Sequence, residues 1–258
     1  MEWDYQRFIH AEVMTHRSHS KNAASSRAIP INTSIRLLLE EPAMPVYWGK
    51  NQSGMTAKEE LDPATIEICK TLWLGARDAV IPFVRTMAAL GLHKQIANRL
   101  LEPWMHIKVV ITATDDGWSN LFNLRRHKDA QPEFQAQANE AWEAYSSSTP
   151  RLLQLGEWHL PYVDDETLAE VGLETAIKLS ASLCAQTSYR RADESIDKAL
   201  DLYDRLVLQR PVHASPFEHQ ASPLEDCNQK SGNLTGWDQN RQHIPFNVCL
   251  SYNPEGGD

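Results

Sequence analysis

The densest run of chemically versatile side chains is Thr15-His16-Arg17-Ser18-His19-Ser20, continuing Lys21-Asn22-Ala23-Ala24-Ser25-Ser26-Arg27. It gathers guanidinium forks, imidazoles, an amide and small hydroxyls, which suit a phosphate or a carbonyl-rich ring. The same composition also describes a solvated loop whose serines cap helices. Asn120-Leu121-Phe122-Asn123-Leu124-Arg125 sets two asparagines three apart; on a helix, Arg125 falls one turn beyond Leu121. Its fork could meet a carboxylate, a phosphate or an imide, or only complement the dipole at a helix C-terminus. Arg99, in Arg99-Leu100-Leu101-Glu102-Pro103, carries the same two readings.

Other chemistries find less support. His10, His16 and His19 lack the i, i+4 spacing that puts two metal ligands on one helix face, and no cysteine or carboxylate completes a set, so no metal is expected. Glu218 beside His219, in Ser215-Pro216-Phe217-Glu218-His219, is not by itself a dyad. There is no Gly-x-Ser-x-Gly and no Walker loop. Cys69, Cys184, Cys227 and Cys249 are scattered and read as reduced thiols of a cytoplasmic protein.

These residues need elements to position them. Asp62-Pro63 opens the clearest helix, with Leu72, Ala76 and Val80 on its apolar face and Pro82 expected to kink or end it. A short helix follows from His93 to Leu101, closed by Glu102-Pro103. The β-branched run Ile107–Thr112 reads as a strand. Trp118–Arg126 reads as helical, and Asp129-Ala130-Gln131-Pro132-Glu133 as the start of a helix over Phe134–Tyr145. Further helices are expected near Glu166–Val171, Glu174–Gln186 and Ala192–Leu208, the last with Ile196, Ala199, Leu200, Tyr203, Leu206 and Val207 in one stripe. Beyond Arg210 the chain reads as loop, with a frayed tail from Asn253. Several helix faces are apolar enough to hint at self-association.

The whole is 258 residues with 42% hydrophobic side chains and eight tryptophans, enough for a substantial core. The formal net charge of −9 argues against a nucleic-acid polymer as partner. The charge is uneven: residues 1–129 hold 16 basic and 14 acidic side chains, residues 130–258 hold 9 and 20. An anion is therefore sought in the first half. No run approaches a membrane span, and the N-terminus has no signal-peptide pattern.

Taken together, the segments resemble the flavin-dependent thymidylate synthase family, ThyX. The family signature Arg-His-Arg-x-x-Ser, continuing to an Asn, a Ser and an Arg, is similar to Thr15–Ser20 with Asn22, Ser25 and Arg27. Its Arg-x-x-Leu-Pro segment resembles Arg99–Pro103, and its Asn-Phe-Leu-Asn-Leu-Arg helix with Ala-Gln-x-Glu resembles Asn120–Arg125 and Ala130–Glu133. A fourth block is out of order. The family's Ser/Thr-Pro-Phe-Glu-His segment precedes its signature, whereas Ser215–His219 follows it here. The resemblance therefore implies a single domain over 1–258 whose C-terminal part, 186–250, corresponds to the family's usual N-terminal portion, a circular permutation that needs neighbouring termini. Residues 48–55 and 156–161 resemble the phage-type branch.

The resemblance implies an α+β, helix-rich fold with a mixed or antiparallel sheet and several long helices. It implies C5 methylation of dUMP, with methylenetetrahydrofolate as carbon donor and FAD, reduced by NADPH, as hydride donor. The same chemistry on UMP or dCMP, a hydroxymethyl product, or a non-catalytic flavin- or nucleotide-binding homologue stand as alternatives; a metal-dependent hydrolase is remote. By the same resemblance His16, Arg17, Ser18 and Asn22 would contact FAD, Asn120 and Leu124 would line the flavin from another subunit of a homotetramer, and His219 and Ser188 would touch the flavin and its phosphates. Ser25, Arg27 and Arg99 would hold the nucleotide phosphate, and Arg125 would sit against the pyrimidine as the catalytic residue. Three departures stand out: Thr15 replaces the first arginine, Ala23 an acidic residue, and Asp116 an arginine.

Overall fold

The structure is a computed structural model and describes residues 1–187 and 195–248. Its centre is a small antiparallel sheet of β1 (Glu2–Gln6), β2 (Ser20–Ala23) and β3 (His106–Thr112), in the order β1-β3-β2. Trp3 pairs with Val109 and Tyr5 with Ile107; on the other edge Ser20 pairs with Thr112 and Asn22 with Val110. Between β1 and β2 lie a 3₁₀ turn, Arg7–Ile9, and the short α1 (His10–Val13). The expected strand is β3; its two partners were not legible, because β1 alternates buried Trp3 and Tyr5 with charged neighbours over only five residues. β2 itself is made of the polar segment, so that segment is not simply a solvated loop.

The remainder is mostly helical: α2 (Ile31–Glu40), α3 (Pro63–Ala89), α4 (Lys94–Ala97), α5 (Asp115–Arg125), α6 (Pro132–Ser147), α7 (Asp165–Val171), α8 (Leu173–Ala185) and α9 (Ile196–Leu208). All strand pairings among the described residues are antiparallel, and the fold is α+β and helix-rich. Asp62 caps α3 by accepting from the amides of Ala64 and Thr65, both at 3.1 Å, with Pro63 at the first helical position. Of the two outcomes expected at Pro82, an end of the helix does not occur: α3 continues to Ala89. The carbonyl it orphans belongs to exposed Asp78, where water can satisfy it. Of the expected stripe Leu72-Ala76-Val80, only Val80 packs against the core. Leu72 and Ala76 are exposed, and the core side carries Trp73, Ile81, Val84 and Met87. The expected helix from His93 becomes one α turn and then a 3₁₀ helix, Asn98–Trp104, that passes through Pro103.

Three apolar clusters hold the elements. The first packs Trp3, Tyr5, Ile107 and Val109 of the sheet against Trp118, Phe122, Phe134 and Ala138 of α5 and α6. The second joins Ile35 and Leu38 of α2 to Ile81 and Val84 of α3 and to Leu101 and Trp104. The third joins Ala181 of α8, Leu206 of α9, Phe217 and Ile244. Past Arg210 the expected loop contains short strands, β4 (Ala221–Pro223), β5 (Lys230–Ser231), β6 (Leu234–Thr235) and β7 (Trp237–Gln239). They fold back onto the central sheet: Ser20 Oγ donates to Asn233 Oδ1 at 3.1 Å and accepts from Gln239 Nε2 at 3.1 Å. No helix among the described residues is long and apolar enough to cross a membrane.

Candidate functional site

The turn after α1 meets the C-terminal end of α5. Arg125 Nε donates to His16 Nε2 at 2.9 Å, Nη1 to Glu12 Oε2 at 3.3 Å and Nη2 to Thr15 Oγ1 at 3.3 Å. The guanidinium carbon stands 4.6 Å from the centroid of the Phe134 ring, a cation–π distance. Phe134 is fully buried and also packs edge-on against His16. A guanidinium has five N–H donors. Three are engaged here, leaving one on each terminal nitrogen without a partner among the described residues. At the start of α5, a Cβ at Gly117 would crowd Ala113 Cβ at 3.1 Å and touch Ser18 Oγ at 3.5 Å.

The turn is also held from below. Lys21 Nζ donates to the carbonyls of His16 and His19. Burial lowers the Lys21 pKa to about 8. Burial, with Arg125 and Lys21 adding positive charge, lowers His16 to about 4. Burial beside Lys21 and His16 lowers His19 to about 3. Both rings are therefore neutral at physiological pH, and His16 Nε2 is free to accept. His10, the third histidine of the segment, bonds instead to the Tyr5 hydroxyl at 2.8 Å. Among the described residues no group of three or more His, Cys, Asp or Glu side chains is arranged to hold a metal ion.

A second cluster forms where β2 runs into the Ser25–Ala28 turn. Asn98 Nδ2 donates to the carbonyls of Ser26 at 2.7 Å and Ile29 at 2.9 Å, clamping that turn to the 3₁₀ helix that bears Arg99. Glu102 Oε1 accepts from Ser26 Oγ at 2.7 Å and pairs with Arg7 at 3.1 Å and Arg99 at 2.9 Å. Arg27 and Arg99 are exposed and face outward from this platform, while Arg7 is mostly covered. Arg7 and Arg99 thus share one carboxylate, with exposed Arg27 on the adjoining turn, an arrangement that suits an anion.

The C-terminal half joins the sheet through side chains. Asn22 Nδ2 donates to the Cys184 carbonyl at 2.7 Å, and its Oδ1 accepts from Ser215 Oγ at 2.8 Å. His219 is fully buried, with Nδ1 at 3.0 Å from Thr112 Oγ1, and burial lowers its pKa to about 3. Its Nε2 and that of His19 are buried with no hydrogen-bond partner among the described residues. Glu218 pairs with Arg241, not with His219. Next to this joint a cavity of about 760 Å³ opens, walled by Thr112, Thr114, Leu153, Trp158, Leu160, Ala221 and Trp237. Its rim carries Asp115, Asp164 and Asp165, the last paired with Arg151.

The structure thus brings His16 and Arg125 into contact and sets Ser25, Arg27 and Arg99 on a common platform. Arg17, Asn120 and Leu124 are exposed, and exposed Ser18 sets its hydroxyl 3.2 Å from His19 Nδ1. Asn22 and His219 act as buried joints, and Ser188 lies outside the described residues. Sequence reasoning missed Glu12, Lys21, Glu102 and Thr112. Only Glu12 carried a signal, lying three and four residues before Thr15 and His16 on a helical turn.

This α+β protein thus carries two preformed arginine clusters, one in which His16 and Glu12 hold Arg125 and one in which Glu102 gathers Arg7 and Arg99. Residues 2–151, more than half of the chain, match the family model described as thymidylate synthase complementing protein. The chain belongs to that family, the flavin-dependent thymidylate synthases, and is a thymidylate synthase-like enzyme. None of the curated proteins compared matches it.

Proposed function

We propose that this chain transfers a one-carbon unit from methylenetetrahydrofolate to C5 of dUMP. The observation that carries this reading is the 2.9 Å bond between Arg125 and His16, which joins the two most specific motifs of the family resemblance across 109 positions. The residues fit a flavin dinucleotide. The cavity beside Thr112 has aromatic and aliphatic walls that suit a flat heterocycle, and the Nε2 of His219, without a partner among the described residues, lies behind that wall. The acidic rim disfavours phosphates there, so the exposed Arg17 and Ser18 are assigned to the phosphate arm. Ser18 is close enough to the α5 N-terminus for one arm to reach both.

When bound, FAD reduced by NADPH supplies the hydride. The chain's own residues bind and orient. Ser25, Arg27 and Arg99 hold the nucleotide phosphate by charge-assisted bonds. Arg125 turns its two remaining N–H groups toward the pyrimidine and stabilises negative charge as C5 becomes nucleophilic, an electrostatic effect strongest where water is excluded. His16 stays unprotonated and holds Arg125 in place. We assign Asn120 and Leu124 to the flavin of a neighbouring subunit in a homotetramer, a reading supported by their exposure and by that of Ile68, Leu72 and Phe83 on α3. The packing of residues 215–239 against β2 and β3 supports a permuted single domain in which the C-terminal part takes the place of the family's N-terminal portion.

The test is tritium release from C5-labelled dUMP, UMP and dCMP in the presence of FAD, NADPH and methylenetetrahydrofolate, with the product identified. Release from dUMP with formation of dTMP is expected. Release only from UMP or dCMP, or a hydroxymethyl product, would reassign the substrate; no release from any would leave a flavin- or nucleotide-binding protein.

A further inference from the structure

We infer that Glu12 and Thr15 are positioning residues that preset Arg125 for catalysis. The inference rests on the catalytic role proposed for Arg125. Arginine has several freely rotating bonds, and an exposed guanidinium samples many positions. Here the side chain is largely covered and is fixed on four sides: by His16 at Nε, Glu12 at Nη1, Thr15 at Nη2 and Phe134 beneath the plane. Each contact comes from a different chemical type, and together they define one orientation.

The Thr15 hydroxyl is used on both sides. It donates to the Glu12 carbonyl at 2.6 Å, which leaves its lone pairs facing Arg125. Glu12 contributes twice, through its backbone carbonyl to Thr15 and through its carboxylate to Arg125. The turn after α1 therefore acts as a receiver for the end of α5, and only the outer two N–H groups of Arg125 remain for a ligand. Position 15 is where the family signature resembled by this segment has an arginine. A second guanidinium there would repel Arg125, whereas a hydroxyl accepts from it. The change that looked like a lost contact reads instead as part of the cradle.

The experiment compares Glu12→Ala, Glu12→Gln and Thr15→Val with the wild type, measuring kcat, KM for the nucleotide, bound flavin absorbance and the crystal structure of each variant. Misplacing a reacting group by about 1 Å can cost ~10²-fold. Glu12→Ala is expected to lower kcat by about 10- to 100-fold while KM moves by less than about threefold and flavin content is unchanged. Glu12→Gln keeps an acceptor oxygen and is expected to recover to within about threefold of wild type. Thr15→Val is expected to fall between them. In the Glu12→Ala crystal Arg125 should leave His16. A kcat for Glu12→Ala within about twofold of wild type, or a rise in activity showing that Glu12 masks Arg125, would overturn the inference. A wild type inactive on every pyrimidine nucleotide would overturn the functional reading alone; the position of Arg125 in the Glu12→Ala crystal would still decide the positioning role.

Discussion

Arg125 and His16 share one hydrogen bond that fixes the tautomer of the imidazole. Arg125 Nε can only donate, so His16 Nε2 must accept, and the ring must carry its proton on Nδ1. Burial and the adjacent guanidinium keep that ring neutral, with a pKa lowered to about 4. Nitrogen-15 chemical shifts of the histidine rings at pH 6 should report His16 as a neutral Nδ1–H tautomer. A doubly protonated ring at that pH would contradict the bond.

Stability should depend on pH through the same group of rings. His16, His19 and His219 have pKa values lowered to about 4, 3 and 3 from an ordinary 6.5. Between those values and 6.5 the unfolded chain binds more protons, so stability rises with pH across that window and is lost as pH falls through it. Each ring can contribute up to about 1.4 kcal/mol per pH unit there. Urea midpoints should be flat from pH 7 to 8 for these groups and fall steeply from pH 6 to 4. Replacing His219 by glutamine should shallow the fall.

Arg125→Ala should abolish turnover while FAD stays bound, because no other described residue offers a guanidinium to the same turn. Arg99→Ala should instead raise KM for the nucleotide with a smaller effect on kcat. Arg99 is exposed and its partner Glu102 keeps two other donors. Steady-state kinetics on both variants separate the roles.

Glu102→Ala should destabilise the fold by about 1–3 kcal/mol, since it removes the acceptor of Ser26 and leaves largely covered Arg7 without its carboxylate. It should also raise KM by loosening the platform under Arg27 and Arg99. Urea denaturation and kinetics on one preparation test both effects.

Asn22→Ala should cost about 1–3 kcal/mol, since it removes the buried amide that donates to the Cys184 carbonyl and accepts from Ser215. The joint between β2 and the C-terminal half would open, and flavin should be retained more weakly. Differential scanning calorimetry and flavin absorbance after gel filtration would register both.

Some of this architecture was legible because local physics fixes it. Asp62-Pro63 marks a helix start wherever it stands, and a β-branched run such as Ile107–Thr112 makes a strand with few alternatives. Other local readings failed where tertiary context outweighs propensity. Pro82 was tolerated because Asp78 faces water, and Leu72 stayed outside because Trp73 took the core. The short strands β1 and β2 gain their ladder hydrogen bonds from β3, far away in sequence, so no local pattern could announce them.

The site divides in the same way. The sequence by itself determined which chemistry is present, because the identities and order of Thr15–Arg27, Arg99 and Asn120–Arg125 select guanidiniums, imidazoles and hydroxyls for an anionic, ring-bearing ligand. It could not say which of them meet. Hydrogen bonds are short and directional, and whether Arg125 faces solvent, a ligand or His16 depends on how α5 crosses the turn after α1. Only the tertiary structure decided that Glu12 and Thr15 receive this arginine, that Glu102 gathers Arg7, Arg99 and Ser26, and that Asn22 and His219 are joints between the two halves of the chain.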